Sequence, residues 1–210
     1  MIKPTDQAGE PRSADPRASL GLLCVMIPSV LWAAWWLMMA SHESGHVIAT
    51  LLTGGGIDHV DLSPLGFSQT HSSPNPRPMT VVWAGPIVGV IDPLLAWLLV
   101  RWLRKREPTQ WQGIESAITF LAGFCLLANG AYLGLGWIDR VGDTGVMMRL
   151  GTPVWLMVGF SVLCAVGGFA LWHQMGPWLG LKQIRQTQTR QLVLTSLILL
   201  AIGFILDWLI

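Results

Sequence analysis

Three ionisable residues lie inside one of the most apolar stretches of the chain, "MMASHESGHVIATLLTGGG". His42, Glu43 and His46 form the pattern H-E-x-x-H. On a helix the two histidines are one turn apart and share a face, so their imidazoles can bind one Zn²⁺ at about 2.0–2.1 Å each. Glu43 lies beside the first histidine, where a carboxylate can take a proton from water activated by the metal. The spacing predicts a hydrolytic zinc site.

The apolar surroundings strengthen this interpretation. Polar residues of an interhelical network, or a chance match, would give the same five letters. In a membrane, however, two histidines and a glutamate without a metal would cost several kcal/mol, and intramembrane ionisable groups are usually functional. We therefore favour the metal site over a structural network.

A catalytic zinc needs a third protein ligand and one open position. Asp143, in "WIDRVGDTGVMMRLG", is our first candidate, because it follows a later apolar segment and stands where a helix begins. An aspartate there would also suit a helix N-cap, and the two roles are compatible. Asp139 is the reserve candidate, and Asp92 remains a third option.

Two further polar residues lie within apolar segments. Asp92, in "GPIVGVIDPLLAWLL", precedes Pro93, and could hydrogen-bond backbone freed by the proline, orient a ligand histidine or bind the metal itself. Asn129, in "CLLANGAYLG", could hold a substrate strand or a ligand, or could simply bridge two helices. Asp92 and Asn129 are thus candidates for substrate binding or for orienting a ligand.

The composition is that of an integral membrane protein. Hydrophobic residues make up 52% of the 210, charged residues 12%, and the mean hydropathy is +0.52, whereas soluble domains carry about 25% charged residues. A net charge of +1 without a basic stripe gives no support for nucleic-acid binding. We predict an all-α polytopic bundle of about five (four to six) transmembrane helices embedded in the lipid bilayer.

The predicted organisation is a disordered polar tail over residues 1–17 and one transmembrane domain over 18–210. Its spans are 18–53, 80–102, 114–137, 153–173 and 191–210. Residues 18–53 as one helix would extend about 54 Å, beyond a hydrocarbon core of about 30 Å. Pro28 could therefore kink this region, or the chain could break and enter the membrane twice. The Pro- and Ser-punctuated segment after Gly56 predicts a short hairpin or re-entrant loop.

Lysine and arginine predict the orientation. Ten of them fall on the side of the N-terminus (Lys3, Arg12, Arg17, Arg101, Arg104, Lys105, Arg106, Lys182, Arg185, Arg190). Three fall on the other side (Arg77, Arg140, Arg149). The positive-inside rule then puts the N-terminus in the cytoplasm, provided that the first region crosses once. The same count places His46 and Asp143 in one layer, towards the exterior.

These motifs resemble the site-2 protease family of intramembrane zinc metalloproteases. The resemblance covers about residues 30–150: the H-E-x-x-H in an early span, "WAGP" at Trp83 to Pro86, and the late aspartate Asp143. It implies a small member without a PDZ domain, with His42, His46 and Asp143 as zinc ligands and Glu43 as general base. The family's usual Leu-Asp-Gly after an Asn-Pro-rich stretch is replaced by Asn129 and the distant "GDTG". In that family the zinc often lies nearer the cytoplasm, whereas the charge count places the predicted site towards the exterior.

Our leading hypothesis is an intramembrane zinc endopeptidase that cuts a membrane-embedded or membrane-adjacent protein substrate, with Zn²⁺ as cofactor, in a bacterial inner membrane. The alternative is a non-hydrolytic membrane protein that keeps the metal site for assembly or regulation of a partner. A small transporter would need internal repeats or paired broken helices, and none is visible.

Overall fold

The fold is a bundle of membrane-length helices with one small hairpin. A computed structural model describes residues 20–175 and 186–209. In these ranges the elements are α1 (Leu20–Leu52), β1 (Ile57–Asp61), β2 (Gln69–Ser72), α2 (Pro78–Arg106), α3 (Pro108–Asp139), α4 (Gly142–Arg149), α5 (Val154–Gln174) and α6 (Gln186–Leu209). Within the described residues, all of these helices except α4 contain a stretch long and apolar enough to cross a membrane. The predicted all-α polytopic architecture is confirmed, and the predicted tail over 1–17 lies outside the described residues.

The first apolar region is one uninterrupted helix rather than two segments. α1 runs for 33 residues through Pro28, which corresponds to about 50 Å at 1.5 Å per residue. This exceeds a hydrocarbon core of about 30 Å, so α1 must tilt or extend beyond it. A single crossing is the condition on which the predicted orientation depends.

The helices pack around α3, which contacts α1, α2, α4 and α5. α6 packs mainly against α1. Small residues set the closest approach between α1 and α2: a Cβ added at Gly45 would collide with the backbone carbonyl of Ala84 and the side chain of Val88. Large apolar side chains are exposed on the outer faces of the helices, where lipid would cover them.

The hairpin folds back along α1. Its strands are antiparallel, with Val60 opposite Thr70. The indole N–H of Trp32 donates to the carbonyl of Pro64 at 2.7 Å, and the indole N–H of Trp36 donates to that of Leu62 at 3.2 Å. These carbonyls belong to the turn of the hairpin, so the turn lies about four to six helical turns back from the end of α1. The hairpin after the first span is therefore confirmed, and it lies beside the helix that carries His42.

The base of the hairpin is fastened by one asparagine. Asn75 accepts a hydrogen bond from the hydroxyl of Thr53 at 3.0 Å and donates one to the carbonyl of Thr50 at 3.3 Å. Gly54 has a φ of +85°, a left-handed conformation that ends the helix. The chain thus turns sharply after α1 and returns along it.

The close contact at Gly45 gives a first prediction. Gly45→Ala should lower the free energy of unfolding by about 1–3 kcal/mol, because the new methyl group has to push α2 away from α1. Thermal unfolding in detergent would measure the change. Gly21→Ala is the matched control on the same helix, since a Cβ there meets nothing within 4 Å. Equal melting temperatures for the two variants would contradict the close contact.

Candidate metal centre

The two histidines of α1 point into the bundle together. His42, Glu43 and His46 are 7%, 6% and 7% exposed. The Nε2 atoms of the two imidazoles are 3.2 Å apart, as expected for side chains one helical turn apart on the same face. The H-E-x-x-H segment therefore presents two imidazole nitrogens to one point.

Asp143 reaches the same point from the turn between α3 and α4. Arg140 adopts a left-handed conformation (φ 55°) at the end of α3, and α4 begins at Gly142. The Asp143 N–H donates to the Tyr132 hydroxyl oxygen at 3.0 Å, which ties the start of α4 back to α3. The Oδ2 atom of Asp143 then lies 2.8 Å from Nε2 of His42 and 3.2 Å from Nε2 of His46.

Hydrogen bonds on the far side of each ring fix which nitrogen is free. Nδ1 of His46 is 2.9 Å from the carbonyl of Val81, which can only accept, so this nitrogen carries the proton. Nδ1 of His42 is 2.8 Å from Oδ1 of Asn129. The Asn129 amide nitrogen donates to the carbonyls of Gly89 (3.3 Å) and Cys125 (3.0 Å), so its orientation is fixed and His42 must donate as well.

This arrangement leaves three acceptor atoms facing one another. Neutral rings protonated at Nδ1 present only a lone pair at Nε2, and both lone pairs meet the carboxylate of Asp143. Separations of 2.8 to 3.2 Å therefore require positive charge between them, either a proton on a ring or a metal ion. Bonds of about 2.0–2.1 Å to a tetrahedral zinc would separate its ligand atoms by about 3.3 Å. The donor set and its spacing fit zinc.

The charge of Asp143 suits this role. Burial alone would raise the pKa of its carboxyl group. A ring that also gains a proton at Nε2 donates a hydrogen bond to the carboxylate and places a positive charge beside it, and these effects of His42 and His46 outweigh burial and hold the pKa well below its usual range. The carboxylate is thus ionised and able to bind a cation.

Two glycines of α2 make room for the site. A Cβ at Gly85, in the "WAGP" segment, would collide with the imidazoles of His46 and His42, and a Cβ at Gly89 would press on the amide of Asn129 at 3.0 Å. Pro93 has no N–H, so the carbonyl of Gly89 lacks its donor within the helix. The Asn129 amide takes over that role.

The structure thus sorts the residues singled out from the sequence. His42, His46 and Asp143 form the one cluster of three or more potential metal ligands in residues 20–175 and 186–209, and Asn129 contacts His42 directly. The alternative interpretation of Asp143 as a helix N-cap is wrong, because Val141 occupies that position and Asp143 lies in the first turn. Asp139 is exposed at the end of α3 and outside the cluster.

Asp92 does not reach the histidines. It is exposed, and its carboxylate accepts a hydrogen bond from the hydroxyl of Ser41 at 3.4 Å. Backbone freed by Pro93 is satisfied by Asn129 instead of Asp92. Asp92 therefore lies beside the seam between α1 and α2, next to the residue that precedes His42.

Two residues at the site were missed by the sequence analysis. Tyr132 lies three positions after Asn129, and this helical spacing could have placed it on the same face. Thr70 donates its hydroxyl hydrogen to Oε2 of Glu43 at 2.6 Å. No local signal marks Thr70, because its position depends on how the hairpin folds back onto α1.

A comparison with protein families decides the relationship. The family model described as Peptidase M50B-like matches residues 17–188. The chain belongs to this family. The resemblance to the site-2 proteases is thereby confirmed, and this M50B-like protein is a multi-pass membrane peptidase of the site-2 protease kind. Searches of curated proteins and of solved structures returned no match.

The contact between Asn129 and His42 gives a second prediction. Asn129→Leu should weaken zinc binding about 10- to 100-fold, because His42 loses the acceptor that fixes its tautomer and orientation. Competition with a zinc chelator would measure the affinity. Thr119→Val is the control, since Thr119 is also buried on α3 but donates to Glu115 of its own helix. Unchanged affinity in folded Asn129→Leu would contradict the orienting role.

A third prediction concerns the space between the two histidines and Gly85 of α2. Gly85→Ala should abolish or strongly weaken zinc binding, because the methyl group has to displace both imidazoles. Elemental analysis of the purified protein would measure bound zinc. Gly159→Ala is the control, since a Cβ on that helical glycine meets nothing within 4 Å. Full zinc content in Gly85→Ala would show that the rings can move aside without losing the metal.

Proposed function

We propose that this protein is an intramembrane zinc endopeptidase. His42, His46 and Asp143 would hold the zinc, and Glu43 would act as general base. The observation that carries the proposal is the convergence of Nε2 of His42, Nε2 of His46 and Oδ2 of Asp143 within 3.2 Å, beside a buried glutamate. Two imidazoles and a carboxylate leave a fourth position for water, as in catalytic zinc sites.

The chain supplies the proton transfers of peptide hydrolysis. Zinc, when bound, would polarise the attacking water and the carbonyl of the scissile bond. Glu43 accepts a proton from that water, whose oxygen bonds to the carbonyl carbon. Glu43 then gives the proton to the leaving nitrogen as the C–N bond breaks. Asn129 and Val81 keep the two imidazoles in the tautomer that leaves Nε2 free.

The proposed substrate is a protein segment in or beside the bilayer. The helices around the site have exposed apolar side chains, which lipid would cover, so a substrate would approach within the membrane. Its backbone must unwind before cleavage, because a helix buries its carbonyls in internal hydrogen bonds. The β1–β2 hairpin beside Glu43 offers a strand edge with which an unwound segment could pair.

We further propose a bacterial inner membrane as the location, with the N-terminus of the chain in the cytoplasm. The uninterrupted α1 supports this orientation, since it gives the single crossing that the charge count requires. The metal site would then lie towards the exterior.

One set of variants tests the proposal and forms the fourth prediction. Purified wild-type protein should carry about one zinc per chain and cleave denatured casein in detergent micelles. Glu43→Gln should keep the zinc but lose at least about 100-fold in cleavage rate, because the base is gone. The double variant His42→Ala/His46→Ala should lose both zinc and cleavage.

The same experiment distinguishes a peptidase from the alternative, a non-hydrolytic membrane protein. A protein that uses the metal only for assembly would bind zinc and show no cleavage that depends on Glu43. Wild-type protein without zinc, even after zinc is added back, would overturn the metal site itself.

A further inference from the structure

We propose that Thr70 is a positioning residue for the general base, a role that rests on the proposed peptidase function. Its hydroxyl donates to Oε2 of Glu43 at 2.6 Å, within the range of about 2.5–2.7 Å for short hydroxyl–carboxylate hydrogen bonds. The donor comes from the hairpin and the acceptor from α1. The hairpin therefore contributes directly to the geometry of the catalytic glutamate.

The hairpin is anchored independently of Glu43. Its turn is held by the indole groups of Trp32 and Trp36, which donate to the carbonyls of Pro64 and Leu62. Its base is held by Asn75, which contacts the last turn of α1. Thr70 lies between these two attachments. Its hydroxyl is thus presented from a platform that is fixed at both ends, which is what precise positioning of a reacting group requires.

The register of the hairpin selects Thr70 for this contact. Side chains alternate between the faces of a strand, so Thr70 faces α1 while its neighbour His71 faces the other way. His71 stacks there on its cross-strand partner His59, with ring centroids 4.0 Å apart. Thr70 is also β-branched, and its χ1 angle is therefore restricted in a strand. Strand register and side-chain stiffness together fix the direction of the hydroxyl.

This contact matters because a glutamate side chain is flexible. A general base has to come within about 2.6–3.2 Å of the proton that it removes. Misplacement of a reacting group by about 1 Å can cost about 100-fold in rate. The hydrogen bond from Thr70 to Oε2 restrains the orientation of the carboxylate, and its remaining lone pairs are free to accept the proton from water.

The test compares kcat and KM for casein cleavage in four forms of the full-length protein. Thr70→Val keeps the shape but removes the hydroxyl, and should lower kcat about 10- to 100-fold with KM within about twofold and zinc content unchanged. Thr70→Ser restores the hydroxyl and should recover most of kcat. Ser72→Ala removes an exposed hydroxyl two residues further along the same strand and should match wild type.

A purely structural tether would behave differently. It would lower the melting temperature of Thr70→Val without changing kcat at temperatures where the protein is folded, and that result would overturn the proposal. So would a Thr70→Ser variant as slow as Thr70→Val. A rise in KM with kcat unchanged would place Thr70 in substrate binding and also contradict the positioning role.

A double-variant cycle provides a readout that needs no activity. Thr70→Val should lower the melting temperature in the wild-type background and have no effect in Glu43→Ala, because the acceptor is then absent. Additive effects would show that the contact does not form. If wild type binds zinc but cleaves nothing, the proposed function fails, and the positioning role with it, whatever the cycle shows. If wild type cleaves and Thr70→Val is equally fast, only the positioning role fails.

Discussion

The structure depends on keeping three electron-rich atoms together in apolar surroundings. Two imidazole nitrogens and a carboxylate oxygen meet within 3.2 Å, on side chains that are largely buried. Such a cluster is costly unless a cation lies among its members and their other polar atoms are satisfied. These two requirements explain the features around the three atoms, from the tautomer of each ring to the glycines of α2.

The helices meet these requirements with few residues. α2 has glycines at positions 85 and 89, which leave space for the imidazoles and for Asn129. Its Pro93 lacks an N–H, so the carbonyl of Gly89 has no donor within the helix and accepts a hydrogen bond from the amide of Asn129. Asn129 in turn satisfies His42. A proline that would otherwise leave an unpaired acceptor in the membrane is therefore part of the same hydrogen-bonded chain as the ligand histidine. Packing and chemistry are inseparable at this point of the bundle.

The long helices and the pair of histidines could be predicted from the sequence, whereas the contacts made by residues distant in the chain required the folded structure. Helical periodicity alone placed His42 and His46 on one face, and hydropathy was enough to find the five long helices. Asp143 was chosen because charge counting put it in the same layer, but its exact place depends on the left-handed turn at Arg140. Thr70 could not be found, since a strand register and the return of a hairpin along α1 are long-range properties. The predicted role of Asp92 was wrong in one respect: an acid beside a proline suggests a partner for the backbone group that the proline frees, but Asn129 is that partner.

The position of the histidines along α1 sets the depth of the site. His46 lies six residues before the end of α1 at Leu52, which corresponds to about 9 Å along the helix axis. This is about a third of a hydrocarbon core of about 30 Å. In the proposed peptidase, the metal site would thus lie much closer to this end of α1 than to the other, with a short path for water from that end. In the proposed peptidase, a substrate segment lying along α1 would meet the metal site within about two helical turns of this end of the helix, so peptide bonds near one end of its apolar segment would be favoured.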